Sequence, residues 1–283
     1  MLIAGAKMPC FSPDMSAGDP VILVFDSGLG GLTVFREVAA ARPDARFVYL
    51  ADDAGFPYGD LTETALIARV LTVLEDAITA YRPDLVIVAC NTASTLALAA
   101  LRKRFAVPFV GTVPAIKPAC VQSQSKTVAV LGTLATVTRE YTKALIRQFA
   151  GSCDVVLAGS SHLARYAEAE LAGAPVNDAA IAAEIAPCFV ERDGCRTDTV
   201  VLACTHYPLL VDRFRKLAPW PVAWLDPAPA IARRAADLLR ERPVSAHAPP
   251  PQLVFTSGRV PATGLTRALA GFGFALSATG AHV

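Results

Sequence analysis

The sequence predicts an α/β protein of two pseudo-symmetric lobes, built on mainly parallel sheets with the active site in the cleft between them. Three observations carry that expectation. Short continuous apolar runs end in turn residues, the pattern of strands buried on both faces. Alanine- and leucine-rich stretches with helical spacing lie between most of these runs, as in βαβ units. One half of the chain also echoes the other, and two copies of one unit leave a cleft between them.

In chain order, residues 1–19 carry Gly5, Pro9, Pro13 and Gly18 with no usable period and read as a loose leader. Order begins at Val21 with VILVFDSG. The runs RFVYLAD (46–52), DLVIVACN (84–91), FVGTV (109–113), TVAVLGT (127–133), DVVLAG (154–159), TVVLACT (199–205) and LVFTSG (253–258) read as further strands. Helical spacing covers Glu63–Thr79, Arg139–Phe149 and Asn177–Glu191. The echo joins DLVIVACNTASTL (84–96) to DTVVLACTHYPLL (198–210), each preceded by another strand with a small polar turn, VFDSGLGGLTV and VLGTLATVT. Ligands of open parallel sheets bind at the carboxyl ends of strands, so functional residues belong just after the apolar runs.

Composition narrows the class of function. Of 283 residues, 53% are hydrophobic and 18% charged, which excludes a disordered chain. Lys and Arg number 26 against 25 Asp and Glu, a net charge of +1, so neither nucleic acid nor an anionic membrane has a broad basic face to meet. No apolar run reaches the roughly 18 residues of a membrane span, and no basic region precedes an apolar core at the start. Seven cysteines without a CxxC pair suit neither a disulfide framework nor a structural zinc site. A reduced, cytoplasmic protein handling a small molecule, without metal, is the expectation.

Cys90 and Cys204 stand at equivalent places in the two repeats, each after an apolar strand and before a helix. A helix N-terminus there would lower the thiol pKa. A single free cysteine at such a place is more simply a small core residue; the repeated pair favours chemistry. If one thiolate removes a proton from carbon and the opposite thiol returns one to the other face, a stereocentre inverts.

Asp26, His206 and Glu168 are titratable groups that can serve those thiols. Each also has a plainer reading: a cap, a turn residue and part of a solvated helix face, respectively. Ser27, Asn91, Thr92, Thr133, Thr136 and Thr205 are neutral donors and acceptors at strand ends. They suit carboxylate and ammonium groups without an arginine clamp, and equally suit helix capping. Tyr58 and Gly59 lie in a Phe-Pro-Tyr-Gly turn that either closes over a ligand or is ordinary surface. The run Gly28-Leu29-Gly30-Gly31 lacks both the GxGxxG of a dinucleotide loop and the Gly-Lys-Ser/Thr of a P-loop.

FDSGLGGLTV, PYGDLT, ACNTAST, GTVPAIKPA, LGTLATVTREY and LACTHYPLL, in this order, closely resemble the glutamate racemases of the aspartate/glutamate racemase superfamily. The resemblance runs from about Val21 to Pro227. It implies racemisation of L- to D-glutamate for peptidoglycan synthesis, with no cofactor, in a homodimer. It implies lobes at 20–112 with 227–283 and at 113–226. By the same resemblance Cys90 and Cys204 are the catalytic acid/bases, tuned by Asp26, His206 and Glu168. Its substrate contacts fall on Asp26, Ser27, Tyr58, Gly59, Asn91, Thr92, Thr205 and His206. Around Ser160-Ser161-His162 the family often has a Cys-Pro pair, so the chain departs from the pattern just ahead of Glu168.

Two other readings remain. One keeps the chemistry and changes the substrate to aspartate or a hydantoin. The other is a binding protein, since some family members inhibit DNA gyrase by direct contact.

Overall fold

The computed structural model describes residues 19–242 and 248–275; all but the last residue of the leader expected over 1–19 lies outside the described residues. The first half of the chain lays down β1 (Val21–Asp26), α1 (Leu32–Ala41), β2 (Arg46–Ala51), α2 (Glu63–Tyr81), β3 (Leu85–Val88), α3 (Asn91–Arg104) and β4 (Phe109–Gly111). The second half adds α4 (Ile116–Gln122), β5 (Thr127–Thr133), α5 (Leu134–Thr138), α6 (Glu140–Phe149), β6 (Asp154–Ser160), α7 (Leu163–Leu171) and α8 (Asp178–Ile185). A two-strand hairpin, β7 (Glu191–Arg192) and β8 (Cys195–Arg196), precedes β9 (Thr199–Ala203), α9 (Val211–Leu217) and β10 (Ala223–Leu225). The last elements among the described residues are α10 (Ala228–Leu238), β11 (Gln252–Phe255) and α11 (Thr263–Ala270).

Two parallel sheets result, in the orders β11-β2-β1-β3-β4 and β10-β9-β5-β6. In the first sheet the central strand β1 is apolar on both faces up to Phe25: Leu23 and Phe25 pack toward α2 and α3, Ile22 and Val24 toward α1 and α10. This two-sided burial is what continuous apolar runs encode. The C-terminal segment returns to the first sheet, where β11 pairs with β2 and Ile231, Ala235, Leu265 and Leu269 join the α1 face of that core. No helix among the described residues is long and apolar enough to cross a membrane.

Each sheet sets the strand of one repeat beside its cysteine-bearing partner. In the first, β1 pairs with β3 and Ala89 N donates to Phe25 O at 2.8 Å, so Asp26 and Cys90 leave the sheet side by side. In the second, Gly132 of β5 faces Ala203 of β9, and Thr133 and Cys204 emerge together.

Three details differ from the sequence expectation. The helix expected over Asn177–Glu191 ends at Ile185 and tightens into a 3-10 turn over Ala186–Cys188, because Pro187 has no N–H to continue the ladder. The hairpin at Glu191–Arg196 and the three-residue β10 carry too short a pattern to read as strands.

Candidate active site

The first thiol is placed by a helix start. Cys90 caps α3, its sulfur accepting from Ala93 N at 3.5 Å, while Ser94 Oγ donates to Val88 O at 2.8 Å and ties the helix to its strand. The expectation of a lowered thiol pKa fails here. Burial pushes Cys90 up to about 12, aided by the neighbouring Asp26 charge, and the Ala93 amide and Ser27 hydroxyl only partly oppose it. The helix end contributes a dipole, but desolvation of a thiolate in an enclosed site outweighs it. A charge on Cys204 also raises Cys90, as expected of two sulfurs that share one site.

Cys204 differs in its setting. The chain beyond it forms a 3-10 turn over Tyr207–Leu210, not an α-helix, so the expected helix dipole is not supplied there. Instead His206 Nδ1 lies 3.8 Å from Cys204 Sγ, and its Nε2 lies 3.0 Å from Glu168 Oε1. Burial alone would lower His206. The hydrogen bonds and charges of Cys204 and Glu168 outweigh it and hold the imidazole well above its ordinary 6.5. Glu168 is itself held below its ordinary range: burial would raise it, but His206 and the Leu29 amide win.

Asp26 ties the two sheets together. It is fully buried, accepting from Gly28 N at 3.1 Å through Oδ2 and from Thr205 Oγ1 at 3.1 Å through Oδ1. Burial raises its carboxyl above the ordinary value, against the lowering effect of His206, the Gly31 and Gly28 amides and Thr205. Its readiness to hold a proton is what a partner for a thiol requires.

The glycine run between Asp26 and α1 is a close-packing device. A Cβ on Gly30 would stand 2.5 Å from His206 Nδ1 and 2.6 Å from His206 N, and one on Gly28 would stand 2.4 Å from Glu168 Oε1. Tyr49 holds this loop from beneath, its hydroxyl donating to Gly28 O at 3.0 Å. Gly28, Gly30 and Tyr49 join this candidate site without having been assigned to it from the sequence; clustered glycines after a strand are a signal for the first two, and none marks Tyr49.

Thr92 and Thr136 meet across the two halves, with hydroxyls 3.5 Å apart, and Thr133 caps α5 while contacting Thr136 at 2.9 Å. The Asn91 side chain is buried and neither its oxygen nor its nitrogen has a hydrogen-bond partner among the described residues. Ser27 is buried beside Cys90. Tyr58 is placed differently from an open lid: its hydroxyl donates to Asp52 at 2.5 Å, and Asp52 also receives Arg69 Nε at 2.6 Å and Thr256 Oγ1 at 2.6 Å. Gly59 is exposed, with open space where a Cβ would stand. Asp52, Arg69 and Thr256 come from three separate segments, and nothing local in the sequence marks them as one group.

The chain as a whole is similar to known proteins. The family model described as Asp/Glu/Hydantoin racemase matches residues 32–235. A glutamate racemase of Agrobacterium fabrum is 54% identical over 261 residues, covering 90% of this chain and 94% of that protein. One from Brucella anthropi is 57% identical over 231 residues, 81% of this chain and 83% of that protein. Among solved structures, Escherichia coli glutamate racemase, in complex with L-glutamate and the activator UDP-MurNAc-ala, superposes with a TM-score of 0.83 at 38% identity, covering 90% of this chain and 96% of that one. By sequence, by fold and over most of its length, this chain belongs to the Asp/Glu/hydantoin racemase family.

Proposed function

We propose that the protein is a glutamate racemase that inverts Cα with two thiols and no cofactor. The observation that supports this best is the pairing of each cysteine with its own proton-handling partner: Asp26 beside Cys90, and His206 backed by Glu168 beside Cys204. The two sides are not alike at rest. Cys90, pushed up to about 12, is a neutral thiol and hence a proton donor. His206, held protonated, sits where it pairs with a Cys204 thiolate and can give it a proton.

Inversion then needs one proton on each face. The Cys204 thiolate takes the Cα proton from one face, the electron pair passes onto the substrate carboxylate, and the Cys90 thiol delivers its proton to the other face. In the reverse direction the roles exchange, and Asp26 is placed to receive the Cys90 proton first. Ser27, Asn91, Thr92, Thr133, Thr136 and Thr205 are proposed to hold the substrate's polar groups. Tyr58 and Gly59 would serve through their backbone amides, since the Tyr58 hydroxyl is occupied by Asp52. Lobes at 20–112 with 227–283 and at 113–226 would enclose the substrate. The family resemblance extends the proposal to a cytoplasmic homodimer supplying D-glutamate for peptidoglycan.

The test is circular dichroism of L-glutamate, beside L-aspartate, with purified protein under reducing conditions and no added cofactor. Decay of the glutamate signal alone is the expected result. Decay with aspartate alone would move the substrate assignment, and no decay with either would overturn the racemase reading.

A further inference from the structure

We propose that Arg139 is a substrate-anchoring residue, whose buried guanidinium arm receives a carboxylate of the dicarboxylic amino acid at the Cys90 end of the cleft. This role rests on the racemase reading and assigns a charged group where the sequence promised only neutral ones.

Arg139 joins α5 to α6, three residues beyond the fully buried Thr136. Through Thr136 that junction meets Thr92, two residues beyond Cys90. The Arg139 side chain is only 9% exposed, and its Nε faces Glu63 Oε1 at 3.4 Å. Glu63 is 65% exposed, so it takes the guanidinium from the solvent side. The other arm differs: Nη1 is buried and has no hydrogen-bond partner among the described residues. A buried charged donor without an acceptor is costly, and such groups stand where a ligand completes them.

Two further observations point to an anionic ligand. The Asn91 amide is also buried and unpartnered, and α3, which Asn91 begins, packs against α5. A charge on Cys90 acts on Arg139, which places the guanidinium within electrostatic reach of that thiol. The cleft already buries the carboxyl groups of Asp26 and Glu168. A substrate would add two more carboxylates beside the neutral donors, and a cation at the Cys90 end would offset their charge, since His206 is committed to Glu168 and Cys204 at the other end. Arginine suits the task, because its planar fork can hold Glu63 and a carboxylate at once.

The experiment is steady-state racemisation of L-glutamate by wild type, Arg139→Gln, Arg139→Lys and Glu63→Gln. Loss of a charge-assisted contact predicts a KM about 10- to 100-fold higher in Arg139→Gln, with kcat within about threefold. Arg139→Lys should fall between, and Glu63→Gln should keep the wild-type KM. An unchanged KM in Arg139→Gln would overturn the assignment. So would an equal rise in Glu63→Gln, which would make the pair a strut between the two halves. If Arg139→Gln does not fold, Arg139→Lys decides alone: a KM raised severalfold supports the role, and an unchanged one ends it. A wild type inert toward glutamate would instead overturn the functional reading, and this one with it.

Discussion

Glu168 Oε1 lies 3.0 Å from His206 Nε2, joining a residue of α7 to the turn after β9, and the same oxygen accepts from Leu29 N of the first sheet's loop at 2.6 Å. One carboxylate oxygen therefore orients the imidazole beside Cys204 and fixes the loop that begins at Asp26.

This pair predicts a pH signature in stability. His206 is raised above its ordinary 6.5, so its contribution is complete below pH 6.5 and is lost as pH rises through the raised value. Glu168 is lowered from its ordinary 4.5, so its contribution is complete above pH 4.5 and is lost as pH falls through the lowered value. Glu168→Gln should therefore cost most between pH 4.5 and 6.5, on the order of 3 kcal/mol for a broken buried pair. Urea denaturation of both proteins across pH reads this directly. The deficit should shrink toward alkaline pH; one that grew with pH would contradict the protonated pair.

Gly30 is predicted to tolerate no side chain. In Gly30→Ala the new Cβ would meet His206 Nδ1 at 2.5 Å and the His206 backbone nitrogen at 2.6 Å, so the turn carrying the imidazole must move. A displacement of about 1 Å at a reacting group is worth roughly 100-fold in rate. Racemase assays should show a fall in kcat/KM of about that size, with far-UV circular dichroism unchanged. Full activity would show that the loop relaxes freely.

Tyr58→Phe separates a structural hydroxyl from a substrate contact. The hydroxyl donates to Asp52, which keeps Arg69 and Thr256 when it is removed. The expected cost is about 1 kcal/mol of stability with KM within about threefold. A tenfold rise in KM at unchanged stability would put the hydroxyl on the substrate instead.

Much of this architecture is legible in the sequence for a simple physical reason. Strands buried on both faces are apolar along nearly all their length, so VILVFD, LVIV and TVVLA announce themselves. Candidate site residues at their carboxyl ends follow from the topology, which is how Asp26, Cys90 and Cys204 can be picked out. Glu168 is harder, because a helix position shows its spacing but not its partner, and His206 is 38 residues away in the chain. Arg139 reads only as a helix start; its burial comes from the meeting of two halves that no local pattern encodes. The Asp193-Gly194 turn carries the positive φ angles of a type I′ hairpin, yet two-residue exposed strands give no alternation to read beside it. The Cys90 thiol departs from expectation for a related reason: a helix dipole is visible in sequence, whereas the depth of burial that opposes it is not.

Cys90 and Cys204 are proposed to serve opposite faces of one carbon. The most direct test is α-proton exchange into deuterium oxide, monitored by NMR, for Cys90→Ser and Cys204→Ser with L- and D-glutamate separately. Both variants should lose racemisation by at least about 100-fold, since each removes one acid/base. Each should still exchange the α-proton of a single enantiomer, and the two variants should differ in which. Substantial racemisation by either variant, or exchange of the same enantiomer by both, would contradict the two-faced arrangement.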